Sequence, residues 1–359
     1  MRVVCAMSGG VDSSVAAAVL VEQGFEVVGM TMRLYDANEN ERQSRGGTCC
    51  SPAEIDQAKA VCAKLGIPHY TVDERELFRS AVIDPFVREY ASGRTPNPCT
   101  RCNQRVKFAP LLARARTLGA QAMATGHYAR IEDGALLRAK DESKDQSYFL
   151  FAMGRDNLRH VRFPLGGLRK AEVRERARLL GFRNWNAPDS QELCFVPGGD
   201  HGEVVEREAT RVVGSTRTLA SGRVLDEEGT VIGHHPGIHR VTVGQKKGLR
   251  VAGSTARYVL RILAESRDVV VGATATSRSL EIAELHPLID LEHGTQMRAC
   301  VQIRHKSPPA PATVVVSHDC AHVHFDEPVL AAAPGQAAVV YDRERVLAGG
   351  WILASHTGP

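Results

Sequence analysis

The first third of the chain switches between short continuous apolar runs and stretches in which apolar residues recur every three or four positions. The run at 2–6 (RVVCA) reads as a strand, and the Ala- and Val-rich stretch at 13–23, stopped by Gly24, reads as a helix. A second strand follows at 26–34. Ser51-Pro52-Ala53-Glu54 has the form of a capping box with proline at the first helical position. Ile55, Ala58, Cys62 and Leu65 then recur at helical spacing until Gly66 stops the helix. Strands are also predicted at 69–72 and 121–125, and helices at 76–92 and 109–118. Strands alternating with helices predict a parallel sheet covered on both faces, with ligands at the carboxyl ends of its strands. The polar stretch 36–47 (DANENERQSRGG) reads as a mobile loop.

Towards the C-terminus the period changes. Short stretches at 258–262, 297–304, 312–317, 321–325, 336–341 and 345–353 alternate or run apolar with no helical spacing between them. Evenly spaced short strands of this kind predict a small barrel. Residues 198–253 lie between the two patterns, Gly-rich and basic with some β character. The expected architecture is an α/β N-terminal domain with a parallel sheet (1–200), a small central connector domain (201–255) and a C-terminal β-barrel (256–359).

Composition adds bounds rather than detail. Of 359 residues, 43% are hydrophobic and 24% charged, which suits a globular chain and leaves no 18-residue apolar run to span a membrane. The apolar run at 3–7 is too short for a signal peptide, so a cytoplasmic protein with no membrane partner is expected. The nine cysteines (5, 49, 50, 62, 99, 102, 194, 300 and 320) are then not a disulfide framework. Cys5, Cys62, Cys300 and Cys320 read as small hydrophobes; the adjacent Cys49 and Cys50 read as structural or weakly redox-active. Net charge is only +4, yet 91–131 holds seven Lys/Arg and no acid, 155–183 nine against three, and 240–261 six against none. Three such blocks suggest a surface that meets phosphate.

The strongest candidate chemistry is Ser8-Gly9-Gly10-Val11-Asp12-Ser13-Ser14 between the first strand and the first helix. Two glycines allow backbone N–H groups to turn inward, the helix N-terminus adds partial positive charge, and three serines offer hydroxyls. A carboxylate cannot bind phosphate directly, so Asp12 either reaches a Mg²⁺ or holds the loop. With no GxxxxGK[ST] there is no P-loop lysine, which fits the gripping of a pyrophosphate leaving group better than attack at a terminal phosphate.

This SGGxDS loop resembles the PP-loop of ATP pyrophosphatases, which cleave ATP to AMP and pyrophosphate. Within that HUP-like superfamily the chain resembles the tRNA-specific 2-thiouridylases. The resemblance is carried by Gly93-Arg94-Thr95-Pro96-Asn97-Pro98 with Cys102-Asn103 and Lys107-Phe108, and by Thr125-Gly126-His127-Tyr128-Ala129-Arg130. It continues in Lys144-Asp145-Gln146-Ser147-Tyr148-Phe149-Leu150, Asp189-Ser190-Gln191 before Cys194-Phe195, Gly244-Gln245-Lys246-Lys247-Gly248-Leu249, and Pro334-Gly335-Gln336-Ala337. These motifs run along nearly the whole chain, and their joint order is specific where each alone is weak.

The resemblance implies ATP, with Mg²⁺, bound by Ala6, Met7, Ser8, Gly9, Gly10, Val11, Asp12 and Ser13, its base near Met32 and Gly126. It implies a wobble uridine of tRNA as substrate, adenylated on its 2-oxygen. Cys194 would carry a persulfide received from a cysteine desulfurase or sulfur-relay protein, and Cys102 would act as nucleophile on it. Asn97, Pro98 and Cys99 would contact the flipped base. His127, Lys144, Asp145, Gln146, Arg304, His305 and Gln336 match positions that contact tRNA in the family. One departure is Cys99, where many relatives carry aspartate. It leaves open a second sulfur chemistry, in which Cys99, Cys102 and Cys194 ligate an iron–sulfur cluster. Two other readings of the chain are weighed against this one. A PP-loop ligase or amidotransferase acting on a small metabolite would need no thiol pair and no basic blocks. A non-catalytic RNA-binding module would not turn over ATP.

Overall fold

The computed structural model describes residues 1–35, 52–189, 193–196, 198–249, 251 and 257–356. The loop expected at 36–47, Cys49, Cys50, Ser51 of the capping box, and Ser190 and Gln191 lie outside the described residues. The chain divides into two compact units. The first is Met1–Val82 with Cys99–Gly199 and Glu344–Val346; the second is Ile83–Pro98 with Asp200–Arg343 and Leu347–Pro359.

The first unit opens with β1 (Arg2–Ala6), α1 (Val11–Glu22), β2 (Glu26–Arg33), α2 (Pro52–Leu65) and β3 (His69–Asp73). β4 (Ala122–Ala124), the hairpin of β5 (Arg130–Glu132) and β6 (Ala135–Leu137), and β7 (Val161–Arg162) come later in the chain. Five strands form a parallel sheet in the order β3-β2-β1-β4-β7. The inner strands are continuous apolar runs because both faces are covered: Val3, Val4 and Cys5 are inaccessible to solvent. Helix α1 is apolar or small on nearly every side, with Ser13 to Leu20 all buried, so it packs as a core element rather than an amphipathic one. The neighbours of β1, namely β2 and β4, follow it on opposite sides. The carboxyl end of β1 is therefore the switch point of the sheet, where a doubly wound fold leaves a crevice.

The helix expected at 76–92 is broken into α3 (Arg75–Phe78), a π-turn (Arg79–Ile83) and α4 (Asp84–Ala91); α4 and the last residue of the π-turn, Ile83, belong to the second unit. Pro85 lies in the first turn of α4 and has no N–H to give an earlier carbonyl, so the ladder is interrupted there. After α4 come α5 (Pro98–Cys102), a second π-turn (Asn103–Phe108) and α6 (Ala109–Thr117), the last close to the predicted span. Two further helices complete the unit, α7 (Arg155–Leu158) and α8 (Lys170–Leu179).

The second unit begins its own fold with α9 (His201–Val213), a helix in the stretch read as a Gly-rich connector. Its signals are local: the Asp200 carboxylate accepts from the N–H groups of Gly202 and Glu203, and Gly214 closes the helix at φ +70°. Strands β8 (Gly222–Leu225), β9 (Val231–His235), β10 (Tyr258–Leu263) and β11 (Asp268–Gly272) form a sheet in the order β10-β11-β8-β9. The run at 258–262 is thus paired here and not in the barrel. The barrel consists of β12 (Thr276–Pro287), β13 (Gln296–Gln302), β14 (Ala310–Ser317), β15 (Cys320–Leu330), β16 (Ala337–Asp342) and β17 (Arg345–His356), closed by pairing β12 with β17. Closure removes the sheet edges, and Leu280, Ile282, Val314, Val323, Val340 and Ile352 fill the interior. Among the described residues no helix is long and apolar enough to cross a membrane.

Candidate active site

The β1–α1 loop lies at the switch point of the sheet. Ser13 Oγ accepts from the Ser8 N–H at 3.1 Å and donates to the Gly10 carbonyl at 3.0 Å, while Ser14 Oγ donates to the same carbonyl at 3.0 Å. Two glycines are sterically required. At Gly9 φ is +80°, and a Cβ would stand 2.4 Å from the Glu54 carbonyl oxygen. At Gly126, just past β4, a Cβ would come within 2.8 Å of the backbone of Asp12 and Ser13. Gly126 thus lets the backbone past β4 approach the loop closely. Met32, at the end of β2, is 8% exposed.

Asn184 was not singled out in the sequence. Its Nδ2 donates to the Gly9 carbonyl at 2.7 Å and to Ser14 Oγ at 3.2 Å. Holding the carbonyl of the planar Gly9–Gly10 peptide on one side turns the Gly10 N–H to the other. The peptide is thereby fixed in one of its two orientations before any anion arrives.

The charge missing from the loop comes from far along the chain. Lys170, the first residue of α8, places Nζ 2.8 Å from both carboxylate oxygens of Asp12 and 2.9 Å from Asp189. Its own N–H donates to Asp141 at 2.9 Å, which fixes the start of the helix. Tyr128 Oη also donates to Asp12, at 2.8 Å. Burial, reinforced by Asp12, raises the Tyr128 phenol well above its ordinary value, so it stays a donor. Asp12 thus accepts from both Lys170 and Tyr128. Asp189 also accepts from Lys144 at 2.6 Å and Arg174 at 3.3 Å. Burial alone would push the Asp189 carboxyl up, but the ammonium groups of Lys144 and Lys170 reverse this and hold it at about 2.

Cys102 ends α5 and is buried, Cys99 is exposed on the same short helix, and Cys194 is half-buried in a turn. The π-turn that follows Cys102 is a geometry common at functional sites. Within it Asn103 Nδ2 donates to the Phe149 carbonyl at 3.0 Å. The other cysteines behave as core residues where they are deepest: burial raises the Cys5 thiol, and that of Cys62 to about 11.

The residues matched to RNA contacts are engaged within the protein to different degrees. Asp145 is buried; its carboxylate accepts from the N–H groups of Ala139 and Ser147, from Ser147 Oγ and from Arg138, and so serves its own turn. Gln146 Oε1 accepts from the Tyr128 N–H at 2.9 Å. His127 is bonded through Nδ1 to Thr125 Oγ1 at 2.7 Å. Burial, with Lys107 nearby, lowers its imidazole to about 3, so it is neutral at ordinary pH. Tyr128 and Tyr148, which lie in the same motifs, are both buried.

In the second unit, Gln336 Nε2 donates to the carbonyls of Thr95 and Pro96 at 3.1 and 3.0 Å, and Thr95 N–H donates to the Pro334 carbonyl at 2.8 Å. Gln336 therefore holds the stretch that leads into Asn97 and Pro98, both buried. Arg304 Nη2 donates to the Ala331 carbonyl at 2.7 Å, and His305 supplies a carbonyl to Gln302 at 2.8 Å.

Among the described residues no group of three His, Cys, Asp or Glu side chains is placed to hold a metal ion. Cys99, Cys102 and Cys194 are not among any such group.

Comparison with known proteins gives matches along nearly the whole length. Residues 1–198 match the family model described as tRNA methyl transferase HUP domain, 201–273 the tRNA methyl transferase PRC-barrel domain, and 277–352 the aminomethyltransferase beta-barrel domain. The chain is 47% identical to the tRNA-specific 2-thiouridylase MnmA of Geobacter metallireducens, over 99% of this chain and 98% of that one. It is 46% identical to the protein of the same name from Rhodospirillum rubrum (99% and 96% covered) and 46% to that from Acidiphilium cryptum (98% and 100% covered).

Proposed function

The chain belongs to the tRNA-specific 2-thiouridylase family, and from that premise we propose how its residues divide the work. The enzyme is a sulfurtransferase that thiolates the wobble uridine of tRNA, in a family that uses ATP. MgATP binds with its phosphates in the Ser8–Ser13 loop and its base beside Met32 and Gly126. The observation that carries this reading is the glycine–serine loop at the switch point, walled by Gly126 and backed by Lys170.

The 2-oxygen of the uridine attacks the α-phosphorus, the α–β phosphoanhydride bond breaks, and pyrophosphate leaves. Backbone N–H groups and serine hydroxyls of the loop stabilise charge on the departing group. Cys194 carries a persulfide received from an external donor, a cysteine desulfurase or a relay protein. Its terminal sulfur attacks C2 of the activated uridine, and AMP departs with the former 2-oxygen. The Cys102 thiolate then attacks the Cys194 sulfur and the sulfur on C2 leaves as the thione. The two thiols supply the two electrons that reduce the transferred sulfur and end as a disulfide, which a thiol reductant reopens for the next cycle. Splitting the exchange into activation and displacement lowers each barrier. Asn97, Pro98 and Cys99 contact the extruded base, while neutral His127 and the basic block 91–131 meet the tRNA backbone.

The test supplies ATP, a persulfide donor and unmodified tRNA, and measures AMP, pyrophosphate and 2-thiouridine. All three form in equal amounts on this reading. Cys102→Ser and Cys194→Ser each abolish 2-thiouridine while tRNA binding is kept. Thiouridine formed by either variant at the wild-type rate refutes the roles of the two cysteines.

A further inference from the structure

We propose that Asp189 is a positioning residue that moors the segment carrying Cys194 to the phosphate loop through Lys170. The inference rests on the reading above that Cys194 carries the sulfur. One ammonium, that of Lys170, is shared between Asp12 in the loop, at 2.8 Å, and Asp189, at 2.9 Å. The side chains involved are mostly covered, Lys170 being 11% exposed and Asp189 23%.

Asp189 lies five residues before Cys194. Five residues span at most about 18 Å even when fully extended. Fixing Asp189 therefore limits how far the Cys194 backbone can lie from it to about 18 Å. A carboxylate that served only to balance Lys170 would need one partner. Asp189 has three: Lys144 takes Oδ2 at 2.6 Å, and Arg174 reaches Oδ1 at 3.3 Å while also holding the Ala187 carbonyl at 3.3 Å. The start of the Cys194 segment is thus pinned from two sides, by a helix (Lys170 and Arg174) and by the Lys144 turn. If phosphate draws Lys170 toward the loop, Lys144 and Arg174 still hold Asp189. The mooring acts after activation: it keeps the thiol within reach of the adenylated uridine before water takes its place. Water attacking C2 would return uridine and AMP, with the pyrophosphate already lost.

The experiment measures pyrophosphate released and 2-thiouridine formed, on one sample with persulfide donor and tRNA, for wild type, Asp189→Asn, Asp189→Glu and Cys194→Ser. For Asp189→Asn, tRNA-dependent pyrophosphate release stays within about threefold of wild type. Thiouridine formed per pyrophosphate falls at least tenfold, and Asp189→Glu recovers most of the ratio. Loss of folded protein lowers both products together and leaves their ratio alone, so the ratio reports positioning and not stability. A ratio in Asp189→Asn equal to wild type, or a parallel fall of both products, overturns the inference. If Cys194→Ser still thiolates, the reading of Cys194 has failed; if it does not and the Asp189→Asn ratio is unmoved, only the mooring has failed.

Discussion

Replacing Lys170 by alanine removes the ammonium that Asp12 and Asp189 share. Removing one partner from a buried charge pair typically costs about 3–5 kcal/mol, because the other charge is left without compensation. Here the cost is reduced. Tyr128 still donates to Asp12, and Lys144 and Arg174 still cover Asp189. The carboxylates are 33% and 23% exposed, so water screens what remains. About 2–3 kcal/mol is expected, which for a unit of this size lowers Tm by about 4–12 °C. Thermal unfolding followed by calorimetry measures it. The pH dependence gives a second handle. Asp189 is held at about 2, below its ordinary value, so its contribution is fully present above the unfolded carboxylate pKa and is lost as pH falls through about 2. The gap between wild type and Lys170→Ala therefore narrows as pH is lowered from about 5 toward 2. A difference below about 0.5 kcal/mol at neutral pH, the size of an ordinary surface substitution, refutes the shared-ammonium account. So does a gap that widens with acid.

Asn184→Ala frees the Gly9 carbonyl and lets the Gly9–Gly10 peptide turn. Of the two hydrogen bonds lost, to the Gly9 carbonyl and to Ser14 Oγ, the shorter one to Gly9 holds the peptide, and its loss at about 1 kcal/mol raises the KM for ATP roughly fivefold with kcat little changed, measured by pyrophosphate release. Gly126→Ala sets a methyl 2.8 Å from the Asp12 and Ser13 backbone, so ATP binding measured by calorimetry falls by more than tenfold while thermal stability changes less than for Lys170→Ala. His127 is neutral down to about pH 3, so its titration leaves no inflection in the pH–rate profile between 5 and 8, and His127→Gln leaves the shape of that profile unchanged.

What could be read from the sequence was whatever chemistry is encoded at short range. The strand–SGGVDSS–helix junction is visible as local pattern, whereas the glycine after β4 and the role of the paired cysteines of α5 come from the resemblance of their motifs. The parallel sheet and most strands of the barrel are visible as pattern too, because continuous and alternating apolar runs differ in period. Lys170 was one basic residue among nine in a charged block, and nothing local marks it. Its partner Asp12 lies 158 positions away, and Tyr128 meets Asp12 across 116. Asn184 sits in a turn whose sequence gives no hint of the glycine it holds. Tertiary context also adds partners that the sequence does not show: the Asp145 carboxylate accepts from the Ala139 N–H, and Gln336 donates to the Thr95 carbonyl. Pro85 in a run of otherwise helical periodicity was a readable break, and Asp200 with Gly214 a readable pair of helix ends.

The claim on which the account turns is that the uridine 2-oxygen itself becomes bonded to the α-phosphorus. A tRNA carrying ¹⁸O at that position, incubated with enzyme, ATP and persulfide donor, tests it in one step. Mass spectrometry of the products finds one ¹⁸O in AMP for each 2-thiouridine formed if the account holds. Unlabelled AMP, with the ¹⁸O released to water, contradicts it.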